Sequence, residues 1–358
     1  MDDSSVNPHK PRILVIRGGA IGDFVLTLPA IRMLRETLPH CHLEILGYRH
    51  IADIALHGGP EKGTTYADAV RNIEYGPMAA FFARNGQLAP DLCAYFAGFQ
   101  QVVSWLFDPD GIFAANLERA GVRNFLGVHE KITDQQHASV QLARGLERMA
   151  IFLDENATRL FPNDATQTAA AAWLATVAAT PSSQHVSATP RRVRPPADRA
   201  NRSVRDGEHP AENAARPLVA LHPGSGSPKK NWPLGNWQRL GDHIASAGAR
   251  LLLIGGEADD TALETLACSL SAHTPLIARN LPLPTLAALL ARCSAYFGHD
   301  TGISHIAAAT GTPSTLLFGP TDPSVWAPVG GHIRIIRAPA GDLAHLAPEA
   351  IPLPQILK

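Results

Sequence analysis

The sequence predicts an α/β protein built from two doubly wound, Rossmann-like parallel-sheet domains that face each other across a cleft. Three observations predict it. Short apolar runs alternate with helix-length segments, in one block before residue 180 and in another after residue 217, as in parallel sheets joined by helical crossovers. Residues 180–217 between the blocks are rich in Pro, Ser, Arg and Ala and nearly free of large apolar side chains, so ordering them would recover little burial energy. Several apolar runs end in glycine-bearing loops, and ligands of such sheets bind outside the carboxyl ends of the strands. A chain of 358 residues suits two domains at roughly 150 residues each. With 45% hydrophobic and 18% charged residues, each half can bury a core. The predicted division is 1–180, a flexible Pro/Arg-rich linker or insertion over 181–216, and 217–358.

In order, "ILVI" (13–16) reads as a strand. Phe24, Val25, Leu28, Ile31, Leu34 and Leu38 then follow at helical spacing, with Pro29 predicting a kink or a late helix start. "HLEILGY" (42–48) is the next strand, and "NIEY" (72–75), "LCAYF" (92–96) and "NFLGV" (124–128) are weaker strand candidates. Residues 137–153 and the alanine-rich 167–179 read as helices. In the second block, strands are predicted at 218–225, 249–257, 295–298 and 313–319. Helices are predicted at 234–248, 259–272, 283–293 and 303–310.

The formal net charge of -1 and pI near 7.0 argue against a nucleic-acid partner. The linker arginines (Arg191, Arg192, Arg194, Arg199, Arg202, Arg205) are read first as solvated. Four separated cysteines without a CxxC pair predict free thiols in a reducing compartment. No HExxH occurs, and no metal cluster is predicted. The start, "MDDSSVNPHKPR", has no apolar h-region, which predicts no secretory signal. No apolar run approaches the ~20 residues that span a bilayer. The expected location is cytoplasmic.

Four loops could carry chemistry. In "RGGAIGD" (17–23) the glycines are Gly18, Gly19 and Gly22. The dinucleotide fingerprint GxGxxG fails because Ala20 stands where its second glycine belongs, although Glu44 could mimic the later ribose acid. Asp23 reads either as an N-cap or as a carboxylate displayed to take a proton. In "LHPGSGSPKKNWP" (221–233) no Walker pattern occurs. Ser225, Gly226 and a lysine, Lys229 or Lys230, could hold an anion beside a helix N-terminus. Glu257 in "LLLIGGEAD" could accept from ribose hydroxyls or favour a helix start. In "FGHDTGISHIAAATGTP" (297–313), Asp300 stands near a strand end, the Thr301 and Gly302 amides open a helix, and His305 follows. A single DTG in an α/β chain does not fit the paired motifs of aspartic proteases.

Taken in order, "GAIGDFVLTLPAIRML" (19–34), "HPGSGSPKKNWP" (222–233), "LIGGEAD" (253–259) and "GHDTGISHIAAATGTPSTLLFGPTDPSVWAP" (298–328) resemble the ADP-heptose:lipopolysaccharide heptosyltransferases, family-nine glycosyltransferases of the GT-B fold. The resemblance covers about the first 50 residues and residues 217–330. It is faint over 50–180 and absent over 181–216. It implies an inverting glycosyltransferase moving a sugar, heptose by that resemblance, from an ADP-sugar to a lipopolysaccharide-core or related glycan acceptor. It places the catalytic base on Asp23, with Gly18, Gly19 and Gly22 as the acceptor-side loop. The diphosphate-contacting lysine falls on Lys230, with Lys229 the alternative, and the ribose acid falls on Glu257. The donor-binding set is completed by Ser225, Gly226, Asp300, Thr301, Gly302 and His305. The first domain would bind acceptor and the second the nucleotide sugar. No cofactor is implied beyond that donor substrate. "HDTG" supplies one acid rather than a DxD-type pair, so no metal is required. A lipid-linked acceptor would bring peripheral contact with the cytoplasmic face of a bacterial inner membrane. The competing readings are a GT-B-fold nucleotide-sugar epimerase and a non-catalytic nucleotide-sugar-binding protein.

Overall fold

The computed structural model describes residues 10–179 and 216–353. The expected linker, 181–216, lies outside the described residues apart from Arg216, as do all six of its named arginines.

The opening apolar run forms β1 (Arg12–Arg17), followed by α1 (Ile21–Thr37) and β2 (His42–Gly47). Two short turns of helix, α2 (Arg49–Ala52) and α3 (Ile54–His57), lead to β3 (Gly58–Gly59) and β4 (Ala69–Asn72). Then come α4 (Pro90–Ala97), β5 (Gln101–Ser104), α5 (Ile112–Arg119), β6 (Phe125–Gly127) and α6 (Ala138–Arg144). β7 (Phe161–Pro162) and α7 (Asp164–Ala179) close this half. The second half runs β8 (Leu218–Leu221), α8 (Leu234–Ser246), β9 (Arg250–Gly255), α9 (Asp260–Ser269), β10 (Leu276–Arg279) and α10 (Leu283–Leu290). It ends with β11 (Ala295–His299), α11 (Gly302–Ala309), β12 (Ser314–Phe318), α12 (Pro323–Trp326) and β13 (Ile333–Arg337).

The first sheet has the order β4-β2-β1-β5-β6 and the second β10-β9-β8-β11-β12-β13, and every pairing in both is parallel. In each sheet the strand order reverses beside one central strand. The reversal falls between β1 and β5 in the first sheet and between β8 and β11 in the second. Chains that leave neighbouring strands in opposite directions open a crevice there, where ligands of such sheets bind. The loops after β1, β8 and β11 therefore hold the switch points. The central strands are apolar throughout because helices cover both faces: Leu14, Val15 and Ile16 are fully buried, as are Val219, Ala220 and Leu221.

Some expected elements differ. α1 starts at Ile21 and runs through Pro29, rather than starting late. Pro29 has no N–H for the Val25 carbonyl, and the Thr158 hydroxyl donates to that oxygen at 3.1 Å instead. "LCAYF" is helix, not strand. Pro90 opens α4, and Leu92 and Phe96, four apart, are its buried face, so a helical period was read as a strand run. The strand expected at 72–75 lies earlier, at 69–72. The helix expected over 137–153 stops at Arg144 and tightens into a 3-10 turn, which Ala150 ends at φ 58°. β5, β10 and β13 were not foreseen. The last two lie at sheet edges, where half-buried side chains give a weak apolar signal.

The halves meet along two seams. α1 crosses α11 at their N-termini, and α7 packs on α10 of the second half. The Leu160 N–H donates to the Ala309 carbonyl at 2.7 Å. The ring of His137 accepts from the Ser139 N–H at Nδ1, so its Nε2–H donates across the boundary to the Ala327 carbonyl at 2.7 Å.

Candidate active site

β1 ends at Arg17, whose guanidinium turns back under the next loop. It donates to the Asp23 carbonyl at 3.0 Å and lies 3.9 Å from Asp23 Oδ1. Burial lowers the Arg17 pKa, and the charge of Asp23 opposes that shift. Gly19 has φ 96°, and a methyl group there would lie 3.0 Å from Asp23 Oδ2. A glycine is required on both counts. Gly18 packs under Leu106, and a methyl group on it would approach Leu106 Cδ2 to 3.2 Å. The cap of α1 is Ala20, not Asp23. Asp23 is the third helical residue, and its Oδ2 accepts from the Ala20 N–H at 3.1 Å. The N-cap reading is thus corrected: Asp23 sits at the third helical position, where one oxygen satisfies the helix start, while the side chain remains 43% exposed.

In the second half, the loop after β8 carries Lys230 in a short 3-10 turn. Its ammonium donates to Asp300 Oδ2 at 2.7 Å, and the Thr321 hydroxyl donates to the same oxygen at 2.8 Å. Lys229 is exposed. The Ser225 hydroxyl donates to the Ser227 carbonyl and accepts from the Ser227 N–H, so it shapes its own loop. Thr301 caps α11, and its hydroxyl accepts from the Ser304 N–H at 3.4 Å.

Sequence reasoning missed His299. Its Nε2 accepts from the Trp232 N–H at 2.8 Å, which leaves Nδ1 to donate to the Gly224 carbonyl at 3.3 Å. The ring fastens the β8 loop to the end of β11. Burial pushes its pKa down to about 4, and the neutral ring is the form those two bonds need. "GHDTG" contained this residue, but nothing local marks a histidine whose partners are backbone atoms of another loop.

His305 is where the separate motifs meet. It is buried one turn into α11 and shifted down to about 4, by desolvation first. Asp300, and Asp23 from the other half, pull the value up, while His137 and Lys230 push it down. Gly22 lies against it, because a methyl group on Gly22 would be 3.6 Å from His305 Cδ2. Asp23, Lys230, Asp300 and His305 thus share one electrostatic neighbourhood. Beside it opens a cleft of about 950 Å³, lined by Gly22 of the first half and by Ser225, Gly226, Glu257, Thr301 and Gly302 of the second. Glu257 is exposed at its rim. Glu44 is not in the cleft. It lies mid-strand in β2, where Tyr95 donates to it at 2.8 Å and Arg12 at 3.3 Å, so it takes no part as a ribose acid. Among the described residues no cluster of three or more His, Cys, Asp or Glu could hold a metal ion, and no helix is long and apolar enough to cross a membrane.

Comparison with known proteins agrees with this architecture. The chain is similar to the glycosyltransferase family 9 structure from Veillonella parvula (TM-score 0.69, 15% identity, 95% of this chain and 94% of that one). It is similarly close to the ADP-heptose LPS heptosyltransferase II of E. coli (TM-score 0.68, 15% identity, 94% and 95%). At that identity the likeness establishes the GT-B fold. In sequence it is 33% identical to lipooligosaccharide heptosyltransferase 2 of Haemophilus ducreyi over 135 residues, and 30% identical to lipopolysaccharide heptosyltransferase 2 of Salmonella typhimurium over 134. These matches span 36% of this chain and 39% and 38% of those relatives, well under half their length. The model of glycosyltransferase family 9 (heptosyltransferase) matches residues 170–349, half of the chain, and the chain belongs to that family.

Proposed function

We propose that the protein is an inverting glycosyltransferase that moves a sugar, heptose by analogy with its relatives, from an ADP-sugar to a lipopolysaccharide-core or related glycan. The observation that carries this reading is the junction of two loops. The helix start that bears Asp23 packs on Gly302, where a methyl group would lie 2.8 Å from the Gly22 amide nitrogen, and Lys230 lies 2.7 Å from Asp300, two residues before that glycine. A direct displacement at a sugar carbon needs a base on the attacking hydroxyl and a counter-charge for the departing diphosphate, and the two must face each other. Asp23 has an exposed carboxylate for the proton. Lys230 has three N–H donors, of which Asp300 engages one, leaving others for phosphate oxygens. The α11 N-terminus adds backbone amides at Thr301 and Gly302. The transition state has oxocarbenium character, as in glycoside hydrolysis, and one displacement inverts the anomeric centre. Glu257, exposed in the cleft lining, would accept from the ribose hydroxyls.

In this reading the first half presents acceptor over Gly18, Gly19 and Gly22, and the second holds the donor. The reaction takes place in the cytoplasm, at the inner-membrane face where the acceptor is lipid-linked. The test is transfer from ADP-heptose to a heptose-deficient core acceptor, with the product anomer assigned by NMR. An inverted linkage is expected. A retained linkage, or donor turnover that yields only an isomerised sugar, would overturn the reading.

A further inference from the structure

Behind the cleft wall lies a chain of three side chains that the motif readings do not use as a unit. His222 immediately follows β8 and is almost wholly buried. Its Nε2 lies 3.4 Å from Asp259 Oδ2, and its Nδ1 lies 3.4 Å from Thr301 Oγ1. Asp259 has one available position. The Gly256 N–H donates to Oδ2 at 3.2 Å, and a methyl group on Gly224 would lie 1.8 Å from Oδ1. Burial works against its ionisation, but hydrogen bonds from His222 and the Gly256 amide help to outweigh that and lower its pKa. His222, Asp259 and Thr301 all line the large cleft.

The carboxylate fixes the tautomer of the ring. Nε2 must carry a hydrogen, since a lone pair there would face the charged Asp259 oxygen. In the neutral ring Nδ1 is then an acceptor, and Thr301 must aim its hydroxyl hydrogen at it. A second ring proton reverses the bond: Nδ1–H donates to Oγ1, and the Thr301 hydrogen is released towards the cleft. Ser304 Oγ lies 3.3 Å from Thr301 Oγ1 and could also accept it, but that neutral hydroxyl, which donates to the His299 carbonyl at 2.5 Å and lies 2.9 Å from the Tyr296 hydroxyl, is a weaker acceptor than a charged phosphate oxygen.

We propose that His222, held by Asp259, takes up a proton when the donor diphosphate enters the cleft, and thereby turns the Thr301 hydroxyl onto that diphosphate. This rests on the donor reading above. The groups facing the ring are Asp259 from the loop after β9 and the neighbouring His299 and Thr301 from the end of β11. A nearby dianion favours the imidazolium. The proton comes from solvent at the binding step. When the bond from the sugar carbon to the phosphate oxygen breaks, the electron pair stays on that oxygen, and the ring proton remains on Nδ1. His222 acts through Thr301 and is a positioning residue.

The experiment is calorimetric titration of ADP at pH 7.5 in two buffers of different ionisation enthalpy. Wild type should take up about half a proton or more per ADP, and His222→Gln should lose that uptake. Its ADP affinity should fall about tenfold and become independent of pH between about 6 and 8, where wild-type affinity declines as pH rises. Thr301→Val should keep the uptake but lose affinity, because the ring still faces the anion. ADP binding by wild type without proton uptake, or equal uptake in His222→Gln, would overturn the inference and leave the donor reading standing. If His222→Gln does not fold, the wild-type and Thr301→Val titrations still decide it. Failure of wild type to bind ADP at all would overturn both.

Discussion

Gly302 leaves no room for a side chain against Gly22: a methyl group on Gly302 would lie 2.8 Å from the Gly22 amide nitrogen and 2.5 Å from Ile21 Cβ. The N-termini of α1 and α11 therefore meet backbone to backbone, and this contact brings Asp23 to the second half's loops. Gly302→Ala should force the two helices apart, costing about 1–3 kcal/mol and at least tenfold in transfer rate. Gly22→Ala, whose methyl would meet its neighbours at 3.6 Å and beyond, should keep nearly the wild-type melting temperature. Equal melting losses in the two variants would contradict this account of the junction.

Asp23→Asn preserves the size of the side chain and removes the proposed base. Transfer should fall by about 10²–10⁴-fold, while ADP affinity stays within about twofold, since binding by the second half does not use this group. Near-normal turnover would remove Asp23 from the mechanism.

Lys230 and Lys229 are adjacent in sequence and opposite in environment. Lys230→Ala should weaken ADP binding by about 10–100-fold, the range for a hydrogen bond to a charged group. Lys229→Ala should change it little, as expected for an exposed side chain. The reverse order in titrations would reassign the diphosphate contact.

His299 and His305 are both held near pKa 4 by burial, against about 6.5 in an unfolded chain. Between those values the unfolded state binds more protons, so stability rises with pH there. The contribution of these rings is complete above about pH 6.5 and is lost as pH falls towards 4. Each ring contributes a slope of up to about 1.4 kcal/mol per pH unit. Chemical denaturation from pH 8 to 4 should show this acid limb, and His299→Asn should be flatter across it. An unchanged slope would mean that the ring is not held neutral.

Glu44 gives a control outside the cleft. Removing its carboxylate takes a partner from half-buried Arg12 and Tyr95, so Glu44→Ala should cost about 1–3 kcal/mol in urea unfolding with ADP affinity unchanged. Loss of ADP affinity at full stability would restore it as a nucleotide ligand.

The sequence by itself determined the two-block α/β architecture, the glycine loops at strand ends and the separate motifs around Asp23, Lys230, Glu257 and Asp300. Those signals are local: a buried strand reads as an apolar run, and a loop that needs φ 96° at Gly19 needs a glycine wherever it folds. Where a segment's period was ambiguous, as at 92–96, burial against the rest of the sheet decided between strand and helix. Only the tertiary structure paired Lys230 rather than Lys229 with Asp300, placed Asp23 beside α11, and gave His299 and His222 their partners. The reason is range. Each of these contacts joins residues at least 37 positions apart, and a hydrogen bond or a close glycine contact leaves no periodic trace in either partner's own stretch of chain.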